Sequence, residues 1–395
     1  MGHAGGTWQR RILPLAILLL AAGSHVRASD GDEYAEFNDG DAPDEVEVEA
    51  EAPDNSWQIG SEMLFAYFGE TGMDGLHLAY SPDGYTFMPL NEGKAILKPG
   101  VGQQKLMIDP SISWSPDGTF HLVWNTGVSG ETAGYANSRD LLNWGTQMSL
   151  HVPAEHGDRW SPDVFHDSRS GRLMVMWSSS KPGRTGGHPV APRLLYTSTL
   201  DFRTFEPVRV VFEPGYAVME GHIAEIFACS PTQVKCGEGD RRYILWHREV
   251  GERLTVNGAV KEASMRFSVA AGPLGPFSEA STPITPEGAD PQAPSFLRVN
   301  NTFMLYYHLP NNLRRYGAMM TSSFSEWEDV SDRLNFPQGA RHGQVFRAPP
   351  HVLKGLFERF GKPTVAPARS EREVLHMIRE GKVAAGGGEL KPGMG

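Results

Sequence analysis

The chain has 395 residues, 40% hydrophobic and 21% charged, a composition that excludes a fully disordered or fibrous protein. Two cysteines exclude a disulfide scaffold and the four-cysteine zinc sites, and a net charge of −11 gives no reason to expect a nucleic-acid partner. Its 44 glycines and 29 prolines point to many turns rather than long helices.

At the start, Arg10 and Arg11 precede an apolar run, Ile12 to Ala22, that is too short to span a bilayer comfortably. Val26-Arg27-Ala28 then offers small-residue cleavage chemistry. Residues 1–28 are expected to be a signal peptide cut after Ala28, giving a secreted protein with no membrane span; an uncleaved anchor is the alternative. Twelve acids and no Lys or Arg follow between Asp30 and Asp54, so the rest of the chain is close to neutral. Like charges repel and there is little apolar surface to bury, so residues 29–56 are expected to be a disordered acidic linker. A calcium-attracting patch or a propeptide is the alternative reading of that stretch.

From Trp57 onward, strand signals dominate. Short apolar runs such as Met63–Tyr67, Phe120–Trp124, Leu173–Trp177, Tyr243–Trp246 and Phe303–Tyr307 are separated by Gly, Pro, Asp and Asn. A strand, a small-residue turn and an aromatic recur five times, marked by Ser81, Ser138, Ser198, Ala271 and Ser322, at spacings of 57, 60, 73 and 51 residues. A β-unit of that size repeated five times predicts an all-β fold, a five-bladed propeller over residues 57–349. Its first blade lacks a leading strand, which Arg341–Phe346 can supply to close the ring. Two β-sandwiches with coincidental spacing are the alternative. Residues 350–395 are expected to be a short helical C-terminal extension, with helices over Val352–Phe360 and Glu371–Ile378 before a glycine-rich tail.

The first residue of each blade's innermost strand points at the central channel. Applying the repeat gives Asp109, Ser161, Glu220, Gln292 and His342. Such a density of polar groups in one channel is costly unless they are paired or used.

Ile108-Asp109-Pro110-Ser111-Ile112, Trp160-Ser161-Pro162-Asp163-Val164 and Arg341-His342-Gly343, with the five repeats, resemble glycoside hydrolase family 43, the arabinosidase and xylosidase five-bladed propellers. The resemblance runs from about Glu62 to Phe346. It implies hydrolysis of arabinose- or xylose-type glycosidic bonds by inversion, an oligo- or polysaccharide as partner and no required cofactor. Inversion needs one carboxylate to activate water and one acid to protonate the leaving oxygen. Asp109 matches the family's base, and Glu220 stands where its pKa-tuning Asp stands. The acid Glu falls on Gln292, which cannot donate a proton. Three explanations stay open: Glu220 is itself the acid; a neighbour such as Asp163, Glu225, Glu287 or Asp290 reaches in; or the protein is a non-catalytic carbohydrate-binding propeller that has lost the acid.

Trp160 is a candidate sugar-stacking face or a blade-packing aromatic, Asp163 a candidate for binding hydroxyls or a turn residue. Gln292 and Arg341 complete the substrate-binding candidates, Arg341 pairing with a channel carboxylate or sitting in a turn. His342 resembles the family's axial histidine, which implies a hydrated calcium ion in the channel; a histidine hydrogen-bonded within the channel is the alternative. A monomer is expected. A protein-interaction propeller is a third, weaker reading, against which the polar channel positions argue. Cys229 and Cys236 are expected to form a disulfide in an oxidising route. The Asn300-Asn301-Thr302 sequon is expected on an exposed hairpin turn. Phosphate loops, dinucleotide fingerprints, His-Glu-x-x-His and Gly-x-Ser-x-Gly motifs are missing from the sequence.

Overall fold

The computed structural model describes residues 62–364 apart from 129–131, 151–159, 181–183, 186–187, 190, 228–240, 252–261 and 311–315. The expected signal peptide, the whole acidic linker, the Cys229–Cys236 pair and the Glu371–Ile378 helix lie outside the described residues.

Five antiparallel sheets form the five blades of a β-propeller. The first is built from both ends of the domain: Arg341–Phe346 innermost, then Met63–Phe68, Leu76–Ser81 and Met88–Pro89. The second runs outward as Ile108–Trp114, Phe120–Asn125, Ala133–Ser138 and Met148–Leu150. The third is Trp160–Asp167, Arg172–Ser179, Arg193–Thr199 and Arg209–Phe212, with a small two-stranded ribbon, Arg184–Thr185 and His188–Pro189, between its second and third strands. The fourth is Val218–Phe227, Arg241–Glu249 and Ser264–Ala270. Its outer edge is covered by main-chain bonds from the amides of Ser278, Ser281 and Ile284 to Val269, Phe267 and Met265. The fifth is Gln292–Val299, Thr302–His308, Tyr316–Thr321 and Glu328–Asp329.

The second strand of each blade shows why the blades stack. Met63, Phe65 and Tyr67 pack with Met304, Tyr306 and Tyr316 of the fifth blade. Leu64 and Ala66, on the other face, pack with Phe120, Leu122 and Trp124 of the second. Val123 meets Val175 and Trp177, Met174 and Met176 meet Tyr243 and Leu245, and Ile244 and Trp246 meet Leu305 and Tyr307. Side chains alternate across a strand, so a strand buried on both faces is apolar without a break. That produces five inter-blade cores in a closed circuit.

The expected ring closure is present: Arg341–Phe346 pairs antiparallel with Met63–Phe68, from Leu64 opposite Phe346 to Phe68 opposite Arg341. Gly343 makes this pairing possible, since a Cβ there would lie 2.3 Å from the Ala66 carbonyl oxygen and 2.5 Å from the Phe65 ring. The helix expected over Val352–Phe360 runs from Pro350 to Phe360, two residues longer because Pro350 occupies the first turn, where its missing N–H costs nothing. Its Val352, Leu353 and Leu356 extend the core between the first two blades. Lys362 beyond it pairs with Glu62 at 3.2 Å, and Tyr80 donates to the same carboxylate at 2.6 Å.

The repeat itself is a hydroxyl turn. Ser81 Oγ accepts from the Gly84 amide and Ser138 Oγ from the Leu141 amide, each at 2.9 Å. In the third and fifth blades the expected register shifts by one residue: Thr199 and Thr321, not Ser198 and Ser322, accept from the amides of Phe202 and Phe324. The fourth residue of the turn has positive φ in all four cases, at Gly84, Leu141, Phe202 and Phe324. Asn300 and Asn301 are the exposed two-residue tip of the hairpin joining Gln292–Val299 to Thr302–His308, as expected for the sequon.

Candidate active site

The inner strands of the second to fifth blades each break register near the start, at residues 109–110, 161–162, 220–221 and 293–294. The first residue of each break has positive φ: 52° at Asp109, 48° at Ser161, 55° at Glu220 and 49° at Ala293. A bulge of this kind re-aims a side chain, and a non-glycine residue held there is strained. In the first blade, His342 is the extra residue between Arg341, opposite Phe68, and Gly343, opposite Tyr67. The equivalent position in the fifth blade is therefore Ala293, one residue after the expected Gln292. Gln292 shares its register place with Ile108, Trp160 and Met219.

Gln292 reaches the channel nonetheless. His342 Nε2 lies 2.7 Å from Gln292 Oε1, and Nδ1 lies 2.7 Å from Asp109 Oδ1. Asn125 Nδ2 and Ser161 Oγ each donate to Asp109 Oδ2 at 3.1 Å. Around the ring, the Glu220 amide donates to Ser178 Oγ at 2.7 Å, and Glu220 Oε2 accepts from the Ala293 amide at 2.7 Å. The imidazole of His342 is packed edge-to-face on His308, with ring centres 4.9 Å apart.

The two carboxyls sit in opposite electrostatic settings. Burial works against charge on Asp109, but His342, with the Ser161 and Asn125 donors, outweighs it and holds the carboxyl below the ordinary aspartate range. Glu220 is only 6% exposed. Burial raises its pKa and the charge of Asp109 adds to the rise, which His342, Arg248 and the Ala293 amide offset only in part. Burial disfavours the imidazolium of His342, yet Asp109 and Glu220 raise its pKa above the ordinary value.

The other expected residues fall as follows. Trp160 is half-buried at the start of its inner strand, next to Ser161. Asp163 is 7% exposed, and its oxygens are held by Ser111 Oγ at 2.8 Å, His222 Nδ1 at 3.2 Å and the Ile223 amide at 3.3 Å. Those bonds tie three inner strands together and give Asp163 a blade-joining place. Arg341 pairs with Glu70 at 3.7 Å instead of with a channel carboxylate. Of the other acids that were open as replacements, Glu225 pairs with Arg241 at 3.2 Å, Asp290 pairs with Arg248 at 2.5 Å, and Glu287 is exposed. The expected calcium at His342 meets a ring whose two nitrogens both face protein acceptors, and calcium prefers oxygen ligands, so this histidine does not fit the ion as placed. Among the described residues, no group of three or more His, Cys, Asp or Glu is arranged to hold a metal.

Sequence reasoning missed Asn125, Ser178, Arg248 and His308. Each lies near the end of its blade's second strand, opposite the residue just before the bulge: Ile108, Trp160, Met219 and Gln292. The signal was available, since each polar residue closes an apolar run at nearly the same offset.

Residues 61–348 match the family described as "Probable glycosyl hydrolase domain", related to glycosyl hydrolase family 43. The chain belongs to this family of glycoside hydrolases. Among solved structures, the family-43-related chain is similar to a thermostable family-43 glycoside hydrolase, at 13% identity and a TM-score of 0.43, over 60% of this chain and 78% of that one. It is similar to an α-L-arabinofuranosidase from Lactobacillus brevis, at 12% identity and a TM-score of 0.40, over 57% and 72%. It is also similar to a xylan β-1,4-xylosidase from Bacillus halodurans, at 16% identity and a TM-score of 0.46, over 74% and 56%. No curated protein matches the chain. Among the described residues of this family-43-related propeller, no helix is long and apolar enough to cross a membrane.

Proposed function

We propose that this chain hydrolyses arabinose- or xylose-type glycosidic bonds by inversion, with Glu220 as general acid and Asp109 as general base. The observation that carries this reading is the opposed setting of the two carboxyls, one held ionised by His342 and its hydrogen-bond donors, the other biased by burial toward its protonated form. Glu220 gives its proton to the glycosidic oxygen as that bond to the anomeric carbon breaks. A water attacks the carbon from the opposite face and passes a proton to Asp109. The products are a sugar of inverted anomeric configuration and the free alcohol, and solvent exchange resets both carboxyls. Trp160 offers a partly exposed aromatic face for the sugar ring. The basic and apolar N-terminal segment supports secretion, where a polysaccharide would be met.

A second reading rests on Gln292, which stands where the family's acid is expected: the protein binds the glycan and leaves it intact. One experiment separates the two. Turnover of 4-nitrophenyl α-L-arabinofuranoside and β-D-xyloside is measured, and the anomer first released is read by proton NMR. Hydrolysis with inversion, lost in Glu220→Gln, is expected. Sugar binding by calorimetry without any turnover favours the second reading, and release of the retained anomer refutes the assigned mechanism.

A further inference from the structure

Arg248 and Asp290 lie outside the residues assigned above to the acid–base step, yet both are bound to the elements that hold Glu220. Arg248 lies opposite Met219, the residue before Glu220, on the neighbouring strand of the fourth blade. Its side chain is 13% exposed, and the guanidinium meets the Asp290 carboxylate at 2.5 Å. Asp290 belongs to the next blade. It opens the segment Asp290-Pro291-Gln292-Ala293-Pro294, whose Ala293 amide donates to Glu220 Oε2 at 2.7 Å. One short segment therefore grips the guanidinium at one end and the Glu220 carboxyl at the other. It is stiff: both prolines fix their own φ, and Asp290 and Ala293 before them are held at φ of 46° and 49°.

We propose that Asp290 and Arg248 act as a pair of positioning residues that keep Glu220 protonated, Asp290 occupying a guanidinium that would otherwise pair with the acid. The proposal rests on the reading of Glu220 as the acid. An unoccupied arginine beside a buried carboxyl favours its charged form, and a carboxylate has no proton to give to a leaving group. The pull is already present in part, since Arg248 lowers the pKa of Glu220 while burial and Asp109 raise it. The charged groups facing Glu220 are Arg248 from its own blade, Asp109 from the second blade and His342 from the first. With Asp290 in place, the guanidinium is paired across the blade junction and its pull on Glu220 is partly offset.

The test uses the full chain and two variants with opposite expected signs. Asp290→Asn frees the guanidinium, and Arg248→Gln removes it. The pH dependence of kcat/KM is measured on a phenyl glycoside, which needs its leaving group protonated, and on a 2,4-dinitrophenyl glycoside, which does not. In Asp290→Asn the alkaline limb for the phenyl substrate should move down by about one pH unit, a roughly tenfold loss above the limb. The dinitrophenyl substrate should change little. Arg248→Gln should move the limb up, and the double variant should follow Arg248→Gln. General loosening of the site would not give shifts of opposite sign. A stationary limb in both variants, or equal losses on both substrates, overturns the proposal. A readout independent of turnover is the carbon-13 titration of the Glu220 carboxyl, identified by its loss in Glu220→Gln. Downward displacement in Asp290→Asn supports the pair even if no substrate is hydrolysed, in which case only the hydrolytic reading fails. An unmoved Glu220 titration sinks the pair whatever the kinetics.

Discussion

Asp109 and Glu220 differ by one methylene in chemistry and more in surroundings, and the difference makes a pH prediction. Asp109→Asn preserves shape but cannot take a proton from water, so turnover should fall by about 10²–10⁴-fold, the usual share of a general base. Glu220→Gln should cause a comparable loss on substrates with poor leaving groups while making the protein more stable above neutrality. Glu220 has a raised folded pKa, so between its unfolded value of 4.5 and that raised value the native state holds more protons than the unfolded one. Stability on this account falls as pH rises through that window. Removing the group removes the penalty. Thermal midpoints should be higher in the variant at pH 8, by roughly 2–4 °C for each kcal/mol relieved, and should converge with the parent below pH 4.5. An unchanged difference across that range would show that Glu220 is not the group burial penalises.

At the scale of strands, what was legible followed from burial. The second strands lie between two neighbouring blades, so their sequences are unbroken apolar runs and Met63–Phe68 or Arg172–Ser179 stand out. Inner strands are mixed, because one end lines the channel, and a bulge shifts the register of each one there. Gln292 matches Asp109 by polarity alone, whereas Pro110, Pro162 and Pro294 mark the bulge and lead to Ala293. Ser198 and Ser322 stand beside the hydroxyls that close the turns, Thr199 and Thr321, since either hydroxyl suits a turn and only the backbone decides. The same offset past the bulge holds Ser111, Asp163, His222, Ser295 and Gln344, a polar belt around the axis. Gln344 accepts from the Ile112 amide, Ser111 from Val164, Asp163 from Ile223 and Ser295 from Val345. The belt is hard to see in sequence because its five residues share a role and hardly a type. Asp163→Ala should leave a buried amide and hydroxyl without their acceptor and cost about 1–3 kcal/mol in urea unfolding. Asp163→Asn should cost less. Had Asp163 served only to bind sugar, both variants would keep full stability and change only KM.

At the scale of the whole molecule, the ring is closed by one strand that also delivers His342 to the site, so closure and chemistry are coupled. The first blade joins the beginning of the domain to its end, and without Arg341–Phe346 the Met63–Phe68 edge and two inter-blade cores would open together. Gly343→Ala tests the coupling with a single methyl. Its Cβ would stand 2.3 Å from the Ala66 carbonyl oxygen, a backbone atom fixed within its own sheet, and 2.5 Å from the Phe65 ring. The closing strand must shift, at a cost of about 1–3 kcal/mol for overpacking. Because His342 is the bulged residue immediately before Gly343, the shift should also disturb its 2.7 Å contacts to Asp109 and Gln292. Stability and turnover should fall together. Gly355→Ala is the matched control: it lies in the C-terminal helix, its new Cβ meets no atom within 4 Å, and the helix gains about 1 kcal/mol of propensity. That variant should be slightly more stable, with turnover unchanged. If Gly343→Ala unfolds at the parent's midpoint, or loses stability while keeping full turnover, then closure is not what holds His342 against Asp109.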